Sequence, residues 1–293
     1  MVKQGMTRLD VERAGKKGAT GSPIAKILDH FYLIVNPEEQ SLGRWLSNEG
    51  MWEAWITSCF TNIIKPGDVV CDIGANYGYF TRLFESIVGP NGYVYAVEAN
   101  PMLSELLRES IAKYPILDGS PVEVLNIAAI EKKRTVTLNI SSFLGGASIV
   151  GIPEDSHPVE IQGFALDEVI YKKVDVFKID IEGAEPLAMA GMKRLLKSSR
   201  CCVVEVGNYH PKEFLESLFM EYEVTKINFL GKEENYSLSN LRNEKDFVMI
   251  VLRKKTHKSF TKKIAKWIKY LRVKTVSKVT ILLIKVVRKI LAG

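Results

Sequence analysis

Ten consecutive residues, Val69-Val70-Cys71-Asp72-Ile73-Gly74-Ala75-Asn76-Tyr77-Gly78, constrain the fold of this chain more than any other stretch. The apolar run into Asp72 suits a parallel strand covered on both faces. The apolar spacing from Tyr79-Phe80 to Ile87-Val88 suits the helix that covers it. Gly74 and Gly78 let the backbone turn tightly and approach a ligand where a Cβ would clash. Strand, glycine turn and helix in this order read as a nucleotide-handling turn of an α/β sheet.

The glycine spacing and the acid narrow the ligand. A dinucleotide fingerprint reads G-x-G-x-x-G, with an acid at the end of the next strand. Here the glycines read G-x-x-x-G, and Asp72 stands where a diphosphate would meet a carboxylate. That disfavours phosphate and suits a cationic, amino-bearing ligand such as S-adenosylmethionine, with its ammonium, sulfonium and ribose diol. The next strand, Gly92 to Glu98, ends in a second acid placed to accept hydrogen bonds from the ribose hydroxyls.

Composition sets the frame around this unit. At 293 residues and 46% apolar, the chain is long enough to bury a full α/β core with appendages. Cys59, Cys71, Cys201 and Cys202 lie in apolar segments without metal-ligand spacing and read as reduced core thiols of a cytoplasmic protein. Residues 1–22 are polar and glycine-rich, without the apolar segment of a secretory signal, and read as a flexible N-terminus. The net charge of +6 hides a division: residues 253–293 hold 14 of the 40 Lys and Arg and none of the 34 Asp and Glu. A basic tail on an acidic body points to an anionic partner for the tail.

Residues 23–64 read as N-terminal helices: an apolar helix over Pro23–Val35, then a helix capped by Asn48 and running to Ile64. Glu53 falls in the first turn of the second, where a carboxylate favours the helix dipole; the competing reading places it at the cofactor pocket. From residue 65 to 252 strands and helices alternate, the pattern of a doubly wound sheet. The predicted strands are Val69–Ile73, Tyr93–Glu98, Val122–Ile127, Val174–Asp180, Cys201–Val206, Glu223–Ile227 and Phe247–Leu252. The predicted helices are Phe80–Val88, Met102–Tyr114, Pro186–Leu196 and Pro211–Met220. Seven strands are the number in a class I methyltransferase sheet, whose last pair forms an antiparallel edge. One interval departs from the alternation: Thr135–Ile140 and Val159–Phe164 alternate like exposed strands, joined through a serine- and glycine-rich loop ending at Ser148. Such a loop can carry acceptor contacts, with Ser148 the candidate, or be an ordinary long hairpin connection.

A second chemical cluster lies in Lys178-Ile179-Asp180-Ile181-Glu182-Gly183-Ala184-Glu185. In a sheet whose order reverses between its first and fourth strands, this strand end borders the same crevice as Asp72. Lys178 and Asp180 share a strand face. A lysine in so apolar a strand needs a charged partner, and Asp180 or Glu205 can supply it. Glu182 and Glu185 also favour the N-terminus of the helix starting at Pro186, which explains part of their presence. Carboxylates in this number can hold a divalent cation, but no histidine stands close in sequence, and no metal is assigned. His210, on the loop after the fifth strand, is placed for a general base, or simply starts a helix before Pro211.

Asp72-Ile73-Gly74-Ala75-Asn76-Tyr77-Gly78, Val97-Glu98-Ala99-Asn100-Pro101 and the Lys178–Glu185 segment resemble the successive signatures of FkbM-type methyltransferases, over roughly Met51 to Val206. The resemblance implies a class I S-adenosylmethionine fold and O-methylation of a hydroxyl on a sugar, glycolipid or secondary metabolite. It also implies that Asp72, Gly74, Asn76, Gly78 and Glu98 bind the cofactor and that Asp180, Glu182 and Glu185 line the reacting end. Asp180 is then the first choice as base, with Glu182 or Glu205 positioning acceptor hydroxyls and His210 an alternative base. No N-P-P-aromatic or D-P-P-aromatic sequence ends the fourth strand, which argues against methylation of a base amine.

After Leu252 apolar residues return every three or four positions between lysines and arginines, through Phe260, Trp267-Ile268, Leu271 and on to Ile290-Leu291. This basic amphipathic tail is too often charged to span a bilayer and suits an anionic membrane surface on the cytoplasmic face. Packing on protein is the competing reading, and nucleic acid is disfavoured because it needs no sustained apolar stripe. The expectation is a peripheral O-methyltransferase with a small-molecule, glycan or lipid-linked acceptor. The alternatives are a nucleotide-dependent oxidoreductase and a membrane-tethered cofactor-binding domain without turnover.

Overall fold

The computed structural model of the protein describes residues 23–36, 42–141, 147–152 and 155–255. The expectations for residues 1–22 and for the tail from residue 256 onward lie outside them.

The chain opens on a hairpin. Strands β1 (Ile24–Ile27) and β2 (Phe31–Ile34) pair antiparallel, where a helix over Pro23–Val35 is expected from the spacing. Alternation decides it: Ala25, Ile27, Phe31 and Leu33 are buried, whereas Ile24 and Tyr32 are exposed. Leu28 and Asp29 both take positive φ (50° and 56°) in the three-residue connection Leu28–His30, where His30 N–H donates to the Ile27 carbonyl at 3.0 Å. The single helix expected from Asn48 to Ile64 is instead two, α1 (Leu42–Glu49) and α2 (Ala54–Ile63). The hairpin packs on the break between them. Leu28 N–H donates to the Gly50 carbonyl at 2.8 Å, and a Cβ at Gly50 would lie 2.6 Å from the Lys26 carbonyl oxygen. Asn48 therefore sits inside α1. Glu53 occupies the N-cap of α2 in the left-handed region (φ 41°, ψ 63°) and caps nothing with its side chain.

The main sheet is built from β3 (Val69–Ile73), β4 (Tyr93–Val97), β5 (Val122–Leu125), β10 (Val176–Ile179), β11 (Cys201–Val206), β12 (Tyr222–Ile227), β13 (Glu233–Asn235) and β14 (Val248–Lys254). Its order is β13-β12-β14-β11-β10-β3-β4-β5. The five strands from β11 to β5 run parallel; β14 joins β11 antiparallel, as β13 does β12. Among the described residues the sheet thus has eight strands, not seven. The additional one is the exposed Glu-Glu-Asn segment of β13, which carries no apolar residue for a sequence pattern to register. Strand β14 also runs past the expected domain boundary at residue 252, and Arg253 forms an ion pair with Glu233 of β13.

Period-two alternation divides the strand residues between two cores. Val70, Val94, Val176 and Val203 face the aromatic group of Phe60, Phe80 and Phe84. Cys71, Phe177, Ile179, Cys202 and Val204 face the opposite layer, with Leu195, Leu196 and Leu215. Each fully buried side chain of this size contributes about 1.5–3 kcal/mol from area removed from water. The helices that cover the sheet are α3 (Tyr79–Val88), α4 (Pro101–Lys113), α5 (Leu166–Val169), α6 (Glu185–Ala190), α7 (Lys193–Ser198), α8 (Lys212–Glu221) and α9 (Leu238–Asn243). The helix expected over Pro186–Leu196 is split at Gly191, where a Cβ would lie 2.0 Å from the Ile130 carbonyl oxygen. All four cysteines are buried and unbridged, and burial pushes the Cys59 thiol up to about 12.

A second sheet, β6-β9-β7-β8, is formed by β6 (Ala128–Ala129), β7 (Arg134–Ser141), β8 (Ala147–Ser148) and β9 (Ser156–Phe164). Its long antiparallel pair β7–β9 contains the two alternating stretches read from the sequence. In the main sheet β3 lies between β4 and β10, so the chain winds away from it in both directions. Strand ends at such a reversal leave a crevice.

Candidate active site

A cavity of about 430 Å³ lies at that crevice, bounded by the carboxyl ends of β3, β4 and β10, the second sheet and α1. Gly74, Asn76, Glu98, Asp180 and Glu182 line it. Asp72, Gly78, Glu53, Glu185, Glu205, His210 and Ser148 do not.

Asp72 is closed off from solvent. Its Oδ2 accepts the Thr81 hydroxyl at 2.7 Å and its Oδ1 lies 3.8 Å from Lys178 Nζ, so it ties β3 to α3 and β10. Burial raises its carboxyl, opposed by Lys178 and the Thr81 hydrogen bond. The two glycines answer to protein atoms. Gly74 (φ 82°) would place a Cβ 1.8 Å from the Asp180 carbonyl oxygen, and Gly78 (φ 94°) one 2.2 Å from Leu107 Cδ1. Asn76 also has positive φ (52°), and its Oδ1 accepts the Tyr77 N–H at 2.8 Å.

Glu98 follows β4 and accepts two backbone N–H groups, from Asn76 at 2.7 Å and from Asn100 at 2.8 Å. Burial pushes its carboxyl up to about 7 despite those bonds. Asn100 in turn caps α4, accepting from Met102 N–H and Leu103 N–H. The acid is thereby fixed by both flanking turns.

Lys178 is buried beneath the turn after β10. Its ammonium lies 3.1 Å from Asp180 Oδ2, 3.8 Å from Asp72 Oδ1 and 5.1 Å from the centre of the Phe80 ring. Burial alone would lower its pKa, but the carboxylates of Asp180, Asp72 and Glu53 outweigh it and hold the value above the ordinary one. Its ion-pair partners are therefore Asp180 and Asp72 rather than Glu205. Asp180 N–H donates to the Ile73 carbonyl at 3.0 Å, which locks the two strand ends together. Glu182 then takes φ 54° and Gly183 φ 97°. For a residue with a Cβ this region costs on the order of 1–3 kcal/mol and persists only where neighbours enforce it. One such neighbour is Ser148, whose hydroxyl donates to the Glu182 carbonyl at 3.0 Å and accepts from Val150 and Gly151 N–H. Ser148 braces the turn from the second sheet.

His210 and Glu185 brace it from below. Nε2 of His210 lies 2.7 Å from Oε2 of Glu185, and the other carboxylate oxygen accepts the Ile181 N–H at 2.9 Å. Gly207 N–H donates to Nδ1 at 3.1 Å, and the Gly207 carbonyl lies 3.3 Å from the same nitrogen. The imidazole is enclosed. Glu205, at the end of β11, accepts the Tyr209 hydroxyl at 3.3 Å. Burial, followed by the negative charges of Asp180, Glu182 and Glu185, pushes its carboxyl up to about 9.

Glu53 is brought close to this centre: burial, then Asp180, raise its carboxyl to about 7, and Lys178 opposes them. Its Oε2 is enclosed and has no hydrogen-bond partner among the described residues. Sequence reasoning missed the aromatic wall of Trp45, Trp52, Tyr79 and Phe80. Trp45 and Trp52 meet edge to face at 5.9 Å between centroids. Their only signal is two tryptophans beside a helix break. Among the described residues no group of three His, Cys, Asp or Glu is arranged to hold a metal ion.

Parallel strands reversing at β3, a glycine turn after it and an acid ending the next strand define a class I S-adenosylmethionine-dependent methyltransferase fold. Residues 72–273 match the methyltransferase FkbM domain, which is more than half of the chain. The chain belongs to the FkbM methyltransferase family. A hexuronic acid methyltransferase, AglP, of Haloferax volcanii is 25% identical over 194 residues, covering 61% of this chain and 73% of the relative. A protein-L-isoaspartate O-methyltransferase of Aeropyrum pernix is 47% identical over 49 residues, covering 17% of this chain and 19% of the relative. The chain spans between 19% and 55% of the length of the first three curated relatives it matches. Among solved structures, methyltransferase FkbM from Methylobacillus flagellatus aligns with a TM-score of 0.39 at 14% identity, covering 67% of this chain and 51% of that one.

Proposed function

We propose that this protein is an O-methyltransferase that moves the methyl group of S-adenosylmethionine to a hydroxyl of a sugar-type acceptor. The observation that carries this reading is that Glu98, from the end of β4, and the Asp180–Glu182 turn, from the end of β10, line one cavity. S-adenosylmethionine supplies an electrophilic methyl on a sulfonium. The residues present fit it. Each oxygen of Glu98 holds one backbone N–H and keeps a lone pair for a ribose hydroxyl. Val97, Leu103 and Ile127 give an apolar wall for adenine.

Asp180 is assigned as the proton acceptor. Lys178 holds its Oδ2, which orients the carboxylate and leaves Oδ1 to take the proton of the acceptor hydroxyl as the carbon–oxygen bond forms. Glu182 holds a neighbouring hydroxyl. His210, Glu185 and Ser148 are positioning residues, acting through the turn. Most of the acceleration comes from aligning donor and acceptor. The hexuronic acid methyltransferase among the relatives supports a sugar hydroxyl as the acceptor class.

The test is transfer of labelled methyl from S-adenosylmethionine into carbohydrate fractions of a cell extract. Label is expected there, with Asp180→Asn lowering it about 100-fold or more while S-adenosylhomocysteine still binds. Cofactor binding with label confined to non-carbohydrate fractions overturns the acceptor class. No described helix is long and apolar enough to cross a membrane. The proposed contact of residues 253–293 with anionic lipid is supported by their sequence, and equal flotation of the full chain with anionic and neutral vesicles overturns it.

A further inference from the structure

The segment Glu205-Val206-Gly207-Asn208-Tyr209-His210 carries the chain out of β11 and leaves one aromatic ring at the surface beside the catalytic turn. Tyr209 is 57% exposed, yet it is held from several directions. Its hydroxyl donates to Glu205, and its ring lies on that of His210, with centroids 4.4 Å apart and planes 33° from parallel. A Cβ at Gly207 would lie 2.4 Å from Tyr209 Cε1, and one at Gly183 would lie 3.7 Å from Cε2. One face of the ring lies on His210, and the backbone of Gly207 and Gly183 flanks it. Val150, 54% exposed, flanks the same Gly183 position at 3.2 Å. A fixed aromatic plane binds a ring at little cost in conformational entropy.

Tyr209 lies outside the cavity lining, next to Gly183 of the turn whose Glu182 lines it, and the charge of that lining is one-sided. Of the charged residues lining the cavity, Glu98, Asp180 and Glu182 are acids and Lys178 is the cation, already paired with Asp180. Glu205 and Glu185 lie buried behind them. The raised pKa of Glu205 fits the same picture: this corner takes up a proton rather than hold a further anion. An acceptor carboxylate would meet that field, whereas an amine or hydroxyl would not.

We propose that the acceptor is an uncharged or amino-bearing sugar rather than an anionic one, with the C–H face of its ring on Tyr209 and its reacting hydroxyl at the Asp180–Glu182 turn. This rests on the protein being a sugar O-methyltransferase, and it sets this chain apart from its hexuronic acid methyltransferase relative.

The test uses the full-length protein loaded with S-adenosylhomocysteine and three matched probes, methyl glucoside, methyl glucosaminide and methyl glucuronide, followed by saturation-transfer NMR. The neutral or amino probe is expected to bind at least about tenfold more tightly than the uronate. Tyr209→Ala should weaken that binding about tenfold and Tyr209→Phe less than about threefold, with S-adenosylhomocysteine affinity by calorimetry unchanged in both. Glu182→Gln should narrow the gap between uronate and neutral probe. A uronate bound as tightly as the others, unchanged binding in Tyr209→Ala, or no probe bound overturns the proposal. Failure of S-adenosylhomocysteine to bind would instead overturn the methyltransferase reading and this proposal with it.

Discussion

His210 Nε2 lies 2.7 Å from Glu185 Oε2, and neither side chain reaches solvent. Through the second oxygen of Glu185 and the N–H of Ile181, the pair joins the loop after β11 to the turn after β10. A histidine in a catalytic crevice reads as a base; this one is enclosed and holds the backbone of the turn through Glu185.

Replacing that histidine therefore separates stability from chemistry. His210→Ala leaves a buried carboxylate oxygen without its partner, a loss on the order of 1–3 kcal/mol, and the unfolding midpoint should fall by several degrees. His210→Gln, which can still donate to Glu185, should recover part of this. In both variants methyl transfer should fall by less than about tenfold. A loss as large as that of Asp180→Asn would make His210 the proton acceptor.

The pH dependence of the free protein follows from Glu98. Burial raises its carboxyl to about 7, so across the window from about 4.5 to 7 the folded state binds more protons than the unfolded chain. The stabilisation from this group is complete below the unfolded value and is lost as pH rises through 7. Glu53 and Glu85, also near 7, act in the same direction. Cofactor binding should run the other way, because ionised Glu98 is the better acceptor for ribose hydroxyls. S-adenosylhomocysteine affinity should rise between pH 5.5 and 8, with proton release visible as a buffer-dependent binding enthalpy. Glu98→Gln should flatten that rise; a wild-type affinity independent of pH would remove Glu98 from the role.

Two glycines with nearly the same backbone should respond very differently to alanine. Gly67 (φ 84°) has nothing within 4 Å of an added Cβ, whereas at Gly74 (φ 82°) the Cβ would lie 1.8 Å from the Asp180 carbonyl oxygen. Gly67→Ala should cost only about 1–2 kcal/mol for the left-handed conformation. Gly74→Ala must also part β3 from β10 and should abolish cofactor binding in titration calorimetry. Equal losses in denaturant titrations would show that backbone conformation alone governs both sites.

Much of the sheet was legible because a buried parallel strand writes its own pattern, as at Val69–Ile73 and Cys201–Val206, where the predicted and observed bounds coincide. The N-terminal region was not. Ile24 to Ile34 satisfies both a helical and an alternating apolar spacing, and the alternating burial and the positive φ of Leu28 and Asp29 that mark the hairpin belong to the fold. The break at Gly50 depends on contacts with Lys26 and Leu28, which no local window contains.

The site divides in the same way. The sequence by itself determined that acids end neighbouring parallel strands and that glycines and Asn76 make the turn between them, because strand alternation and positive φ are local properties of the chain. Only the tertiary structure decided which acids line the cavity. Asp72, Asp180, Glu182, Glu185 and Glu205 look equivalent as letters. Thr81 and Lys178 enclose the first, and His210 and Tyr209 engage the last two, leaving Asp180 and Glu182 to line the cavity. A carboxylate takes the partner that folding brings within hydrogen-bonding distance, and for Glu185 that partner lies 25 residues further along the chain.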